Sequence, residues 1–572
     1  MHIDFVWRCA QKASSKRFLQ AALAGLALAL LAACGGGGSS DAQSTVPDAS
    51  SRPLPAAPLP ADSAPVNLSG LATFDYVPSQ SGQLIYSKTE ARPIRSATLE
   101  VVDKGGQLLA RTTTDDQGRY SVSLAADQIV RLRVLAQMNA NGAPISVTDN
   151  TRADALYAVE SPAFASNTGT AHVHAASGWT GSAYVEARAA APFAILDTVY
   201  RAQRKLLAVD PAARLKPLGL HWSTANNPSA GDPATGEITS TRFRSSDGKG
   251  HIYILGKAGV DTDEYDESVI AHEWGHYHQW AFSRDDSPGG SHGGEPLEMT
   301  VAFSEGWGDA LSAIVTERRD YSDAGGPGQA NGFSYLLDGL PPSRPGWFRE
   351  ESIAKIVYQL SLQAGFAPIH QAMKSLANTP AFTSIFAFSD AVRRNNAGTG
   401  DTLDQLLSAH SIVTSKDSGD PFGTNETNDG RLGIYDVPPY VQAMPIYQRL
   451  TLDVASWVCS FNVAALSNMD KSLGIPNKLG NHRFMRFDAL SAGRYRVTVR
   501  GMTRGDGTQA HPFLSVLQGG TRNWYGSPQP AFYGNLNLPD GPTVMSVEDK
   551  DVTDGKVPSG CIEVTITKAP VN

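Results

Sequence analysis

The chain reads as a multidomain protein in which an α-rich central domain is flanked by two β-sandwiches, and three observations predict that class. Its 572 residues exceed what one hydrophobic core supports, because chains longer than roughly 250–300 residues split into domains. Residues 66–140 and 445–572 hold short runs in which apolar and polar side chains alternate at period two, as half-buried strands do. Between them, residues 141–440 carry apolar positions at helical spacing and few strand signals. The composition, 41% hydrophobic and 18% charged, is that of globular protein, and a formal charge of −8 offers no basic field for gripping phosphates. Nucleic acid is therefore not expected as a partner.

The first 33 residues stand apart. Arg8, Lys12, Lys16 and Arg17 precede an apolar run from Phe18 to Ala33 that is shorter than the roughly 20 residues needed to span a bilayer, so it predicts a signal peptide rather than a retained helix. The run ends Leu31-Ala32-Ala33-Cys34, which resembles the lipobox of bacterial lipoproteins; that resemblance implies lipidation at Cys34, with ordinary small-residue cleavage as the alternative. Residues 34–65, rich in Gly, Ser, Ala and Pro, cannot bury a core and read as a flexible tether. Of the four cysteines, Cys9 leaves with the leader and Cys34 takes lipid, which predicts a single disulfide between Cys459 and Cys561.

In the first sandwich, strands are expected at 97–102, 120–124 and 130–134. The stretch Thr114-Asp115-Asp116-Gln117-Gly118-Arg119-Tyr120 resembles the turn of carboxypeptidase-regulatory-like domains, which implies a transthyretin- or immunoglobulin-like fold without chemistry of its own. In the central domain, helices are expected over 189–207, 310–315, 352–362 and 369–376. Residues 494–499 and 561–566 are the clearest strands of the last domain, and the run from Phe484 to Gly501 is similar to the bacterial prepeptidase C-terminal domain, a β-sandwich. The disulfide would then join its first and last strands.

The chemistry centres on His272-Glu273-Trp274-Gly275-His276, led into by Ser268-Val269-Ile270-Ala271 without a helix breaker. On a helix, residues four apart share a face, so both imidazoles can meet one metal, while Glu273 can reach a water there and take its proton as general base. Such a pentapeptide arises by chance in roughly one chain in a hundred of this size, so a second feature is required. A catalytic zinc needs a third protein ligand, and Ala302-Phe303-Ser304-Glu305-Gly306-Trp307-Gly308-Asp309 supplies a carboxylate downstream.

That segment resembles the corresponding helix of fungalysins and thermolysin-like peptidases, members of the gluzincin metallopeptidases. The resemblance implies Glu305 as third zinc ligand and Asp309 as the partner that fixes a ligand imidazole. It also implies that the strand His251–Gly256 is a sheet edge on which substrate backbone pairs, although an ordinary strand reads equally well. Asp261, Asp263, Glu264, Asp266 and Glu267 crowd the start of the motif helix, where capping of the dipole is preferred to calcium binding. The chain departs from the fungalysin pattern in two places. A Gly-rich insert, 286–294, lengthens the gap between His276 and Glu305, and no histidine stands near Trp347–Ser352 to stabilise an oxyanion. Candidates for that role are His292, Tyr321, Tyr335 and Arg349, whereas Tyr277, His278, His221, His370 and His410 read as structural.

The reading that follows is a zinc metalloendopeptidase, one zinc per chain, acting on protein or peptide substrates. It would be a monomeric lipoprotein of a bacterial cell envelope, at the outer membrane or cell surface, joined to the membrane by its lipid. A catalytically inert zinc-containing binding or adhesion protein, and a zinc amidase acting on a non-peptide amide, are the alternatives.

Overall fold

A computed structural model describes residues 65–569 apart from 295, 415–418, 427–444, 463–476 and 527–528. The leader, Cys34, all of the tether but Pro65, and the expected junction near residue 440 lie outside the described residues.

The first strands are β1 (Pro65–Tyr76), β2 (Ala97–Asp103), β3 (Leu108–Thr113), β4 (Arg119–Ala125), β5 (Ile129–Ala140) and β6 (Ala143–Asp149). The turn entering β4 forms as its residues dictate: Asp115 Oδ1 accepts from the backbone N–H groups of Gln117 and Arg119 at 2.9 and 2.8 Å, and Gly118 takes φ +72°. Strands β1 and β4 pair antiparallel, and β2, β3, β5 and β6 belong to a second, larger sheet. Inward residues from both, such as Leu68, Phe74, Tyr120, Leu99 and Leu132, share one core, which gives sandwich character.

That larger sheet does not stop at residue 140. Helix α1 (Ala191–Val209) carries the chain from β6 to β7 (Leu218–Trp222), which lies parallel to β6 with Leu218 opposite Ile145. The sheet continues through β9 (Lys249–Ile254) to β8 (Arg242–Ser246) at its edge. The expected boundary at 140/141 thus falls in the tight turn between β5 and β6, inside one hydrogen-bonded sheet. The strand read as an edge from His251 is covered on both sides, parallel to β7 and antiparallel to β8, and its place at the rim belongs to β8. The central region therefore contributes strands as well as helices. The strand β7 was hidden in the sequence because a strand covered on both sides loses its alternation.

Helices α2 (Glu267–Phe282) and α3 (Met299–Thr316) form the heart of the central region, followed by the hairpin β10 (Asp320–Asp323) and β11 (Phe333–Leu336). Then come α4 (Glu350–Ala364), α5 (Phe366–Leu376), α6 (Ile385–Asn395) and α7 (Gly400–Ala409). Trp274, Tyr277, Phe303 and Trp307 are fully buried between them, burial that stabilises by roughly 1.5–3 kcal/mol for each large apolar side chain.

The C-terminal region is a β-sandwich with its own core of Met485, Tyr495, Val497, Val516, Val564 and their neighbours. Its strands are β12 (Tyr447–Leu450), β13 (Ser456–Phe461), β14 (His482–Ala489), β15 (Gly493–Gly501), β16 (Pro512–Gln518), β17 (Thr521–Gly526), β18 (Ala531–Leu538), β19 (Gly541–Asp549) and β20 (Ser559–Lys568). One sheet runs β12-β14-β19-β16-β17 and the other β13-β20-β15-β18. The Cys459–Cys561 disulfide is present, joining directly opposed residues of β13 and β20 across 102 residues of chain. It links the second strand of the sandwich, rather than the first, to the last. Tyr447, Phe484 and Val544 belong to the same core as the central helices, so the sandwich is packed against them.

Candidate metal centre

Helix α2 places His272, Glu273 and His276 one turn apart, and α3 crosses it closely enough to bring Glu305 to the same point. The crossing depends on two glycines. A Cβ on Gly275 would lie 2.9 Å from the Cα of Gly308, and one on Gly308 would lie 2.7 Å from the His272 ring. Glycine weakens a helix interior by about 1 kcal/mol, so its presence in both buried helices marks a place where backbone and ring must approach. Trp307 adds a tie by donating from its indole nitrogen to the Gly275 carbonyl at 3.0 Å.

The three expected ligand atoms converge. His272 Nε2 lies 3.1 Å from His276 Nε2 and 3.2 Å from Glu305 Oε2, and His276 Nε2 lies 3.3 Å from the same oxygen. All three side chains are largely buried, with Glu273 beside them at 8% exposure. These residues could hold a metal ion. Burial works against the imidazolium form of His272, but the Asp309 and Glu305 carboxylates outweigh it and hold the ring well above its ordinary pKa. Glu305 is opposed by burial too, yet His292, His276 and His272 keep it well below the usual carboxylate range. The pocket thus favours positive charge among its donors.

Each imidazole is oriented from behind. His272 Nδ1 donates to Asp309 Oδ1 at 2.7 Å, which turns the Nε2 lone pair toward the common point. Asp309 is held in turn by the Tyr335 hydroxyl, which donates to its other oxygen. His276 has an arrangement that the sequence reading missed: Nδ1 lies 3.3 Å from Ser304 Oγ, whose hydroxyl is 3.1 Å from Asp285 Oδ2. Burial pushes Asp285 up to about 6. Ser304 directly precedes Glu305 on the same helix, and that adjacency was the available signal; Asp285 gave none, because only folding of the loop after α2 brings it there.

Of the four candidates for polarising a substrate oxygen, Tyr335 has its hydroxyl committed to Asp309. Tyr321 packs edge-on to the His272 ring with centroids 6.0 Å apart. His292 Nδ1 stands 3.5 Å from Glu305 Oε2 and has no hydrogen-bond partner. Arg349 sits at the N-terminal cap of α4, its Nε buried without a partner. Of the histidines read as structural, His278 Nε2 and His370 Nδ1 are 2.9 Å apart, His221 contacts His251 at 2.9 Å and Asp154 at 3.0 Å, and His410 is buried with its Nδ1 unpartnered among the described residues.

The 286–294 insert is gripped by the C-terminal sandwich. Asn477 donates to the carbonyls of Gly289 and Ser291, each at 2.9 Å, and Lys478 donates to those of Gly293 and Gly294. His292 lies between those anchors.

No protein-family model and no curated protein matches the chain. Solved structures that it is similar to include the pre-peptidase C-terminal domain of a collagenase from Bacillus anthracis, at 11% identity over 21% of this chain and 93% of that one, with TM-score 0.15. A second is CBM35 from Cellvibrio japonicus Abf62, at 17% identity over 16% of this chain and 71% of that one, with TM-score 0.12. A third is a cycloisomaltooligosaccharide glucanotransferase from Paenibacillus sp., at 9% identity over 88% of this chain and 72% of that one, with TM-score 0.11.

Proposed function

We propose that the protein is a zinc metallopeptidase of gluzincin type, lipid-anchored in a bacterial envelope, that hydrolyses peptide bonds. The observation that carries the reading is the triangle of donor atoms with edges of 3.1, 3.2 and 3.3 Å. Tetrahedral zinc with bonds of roughly 2.0 Å separates its ligands by roughly 3.3 Å, so two imidazoles and a carboxylate at these distances fit that ion. Zinc there would supply Lewis-acid polarisation of a carbonyl and acidify a water. Glu273, on the same helical turn as both imidazoles, takes the proton from that water and delivers it to the leaving amine. Asp309 and Ser304 keep the rings turned inward. Tyr321 or His292 donates to the oxygen that gains charge.

Casein hydrolysis by the purified protein tests this. Glu273→Gln is expected to lower turnover by about 10²–10⁴-fold while zinc content stays at one per chain. Full zinc occupancy with no turnover of any peptide by the unaltered protein would sink the peptidase reading. One observation favours a second reading, an inert zinc-containing binding or adhesion protein: His292 is near enough to Glu305 to serve as a fourth donor and close the site, as structural zinc sites are closed. In that case His292→Ala weakens zinc retention; in the peptidase it lowers turnover and leaves zinc in place. An amidase acting on a non-peptide amide would appear as turnover of such amides without peptide cleavage.

A further inference from the structure

A second group of acidic side chains gathers at the N-terminal end of α2. Carboxylate oxygens of Asp261, Asp263 and Asp323 all lie within 4.8 Å of one another. Asp261 and Asp263 belong to the turn that leads into α2, and Asp323 ends β10, so two segments distant in sequence meet there. Neighbouring acids of the same run are neutralised: Glu264 pairs with Arg188, and Glu267 with Arg92 and Arg201. Among the described residues, none of Asp261, Asp263, Asp266 and Asp323 pairs with a lysine, arginine or histidine.

An independent observation is the state of Asp266. It is fully buried, and among the described residues no side chain donates to either of its carboxylate oxygens, the Ala324 backbone N–H being its one hydrogen-bonding support. The expected capping role does not account for it, since its side chain makes no cap hydrogen bond to α2. Asp263 is 2% exposed with Oδ1 unpartnered, its Oδ2 taking the Thr241 hydroxyl, and Asp261 Oδ1 is unpartnered as well. Burial raises all four carboxyls, Asp261 to about 6 and Asp323 to about 8. Burial and then the charges of Asp323 and Asp261 raise Asp266; burial and then the charges of Asp261, Asp323 and Asp266 raise Asp263. The four therefore share one electrostatic pocket.

Buried carboxylates persist when a cation neutralises them. We propose that Asp261, Asp263 and Asp323 bind one hard divalent cation of the calcium class, with the buried charge of Asp266 beside them, at a site separate from His272, His276 and Glu305. An all-oxygen, all-carboxylate donor set suits a hard ion rather than zinc, which takes nitrogen and sulfur readily. Calcium accepts six to eight oxygens at 2.3–2.6 Å in flexible geometry, and two oxygens on opposite sides of such an ion stand about 4.8 Å apart; magnesium demands a tighter octahedron, with oxygens at about 2.0–2.1 Å. The ion would fasten the β10–β11 hairpin to the start of α2. That hairpin carries Tyr321 against His272 and Tyr335 onto Asp309, so the cation would hold in place two residues that pack behind the metal centre.

The test uses the intact protein, stripped of calcium, loaded with zinc, and titrated with calcium chloride against magnesium chloride as control. Calorimetry is expected to show one calcium per chain, and the unfolding temperature to rise by about 5 °C at saturation, with a much smaller response to magnesium. Asp263→Asn and Asp266→Asn should each weaken calcium binding at least tenfold. In calcium-free buffer both should melt at or above the unaltered protein, because a repelling charge is gone. His272→Ala should keep the calcium response. Absence of calcium binding would overturn the proposal, as would equal destabilisation of the aspartate variants with and without calcium. Loss of the response in His272→Ala would place the ion at the other site and also overturn it.

Discussion

His272 and His276 sit on one helical turn, yet they are steadied differently, and the difference can be measured. His272 donates directly to a carboxylate at 2.7 Å, whereas His276 reaches Asp285 only through the Ser304 hydroxyl. A direct charge-assisted bond is shorter and roughly twice as strong as a neutral one, so the two supports should not be equivalent. Loss of such supports typically costs 10–100-fold in metal affinity. Asp309→Ala is expected at the upper end of that range and Ser304→Ala at the lower, read by competition with a zinc-binding dye. Equal losses would mean that the hydroxyl relay is as strong as the direct bond. The Asp309 support was legible in the sequence through the resemblance of its segment to the corresponding gluzincin helix. Asp285 was not, because its carboxylate arrives from the loop after α2, just ahead of the insert, whose path no periodicity encodes.

At the scale of elements, the site exists because α2 and α3 cross almost backbone to backbone. The approach of Gly275 to Gly308 leaves no room for a methyl group, since the added Cβ would meet Cα at 2.9 Å. Overpacking of this kind costs about 1–3 kcal/mol, and relief requires the helices to part, which would draw Glu305 away from the imidazoles. Gly275→Ala is therefore expected to lower stability by about that amount in urea unfolding and to weaken zinc binding together with it. A variant that lost stability alone would separate the crossing from the site. The helices themselves were anticipated at 310–315, 352–362 and 369–376 and extend to 299–316, 350–364 and 366–376, because apolar spacing marks helix interiors better than ends. The strand anticipated at 251–256 forms at 249–254, but its neighbours were not anticipated: β8 pairs outside it and takes the edge.

Across the whole molecule, the C-terminal sandwich does more than follow the central region. Asn477 and Lys478, just ahead of β14, hold the carbonyls of the insert that carries His292. Leu297 also bridges to Lys478, and the Glu298 N–H donates to the Asn477 carbonyl at 2.8 Å as α3 begins. Fixing a loop that would otherwise sample many conformations costs roughly 1–2 kcal/mol of entropy per residue, and these bonds offset part of it. Asn477→Ala is expected to reduce kcat/KM on casein by roughly tenfold, a loss of about 1.4 kcal/mol in transition-state stabilisation, with zinc content and the sandwich unchanged. Unaltered turnover would show that the loop holds itself. The disulfide that staples β13 to β20 closes a long stretch of chain, a constraint that typically contributes 2–4 kcal/mol.

The sequence by itself determined the sandwich character of both ends, the principal helices and the disulfide partners, because each is written in local spacing or in cysteine number, and the gathering of His272, His276 and Glu305 through the resemblance of their two segments to known zinc-binding helices. Only the tertiary structure decided that one sheet runs through residue 140, that β8 rather than β9 forms its rim, that Ser304 and Asp285 stand behind His276, and that Asp261, Asp263 and Asp323 meet beside α2. Those features join segments far apart in the chain, and it is packing of elements against one another that selects such partners, not the periodicity within any one of them.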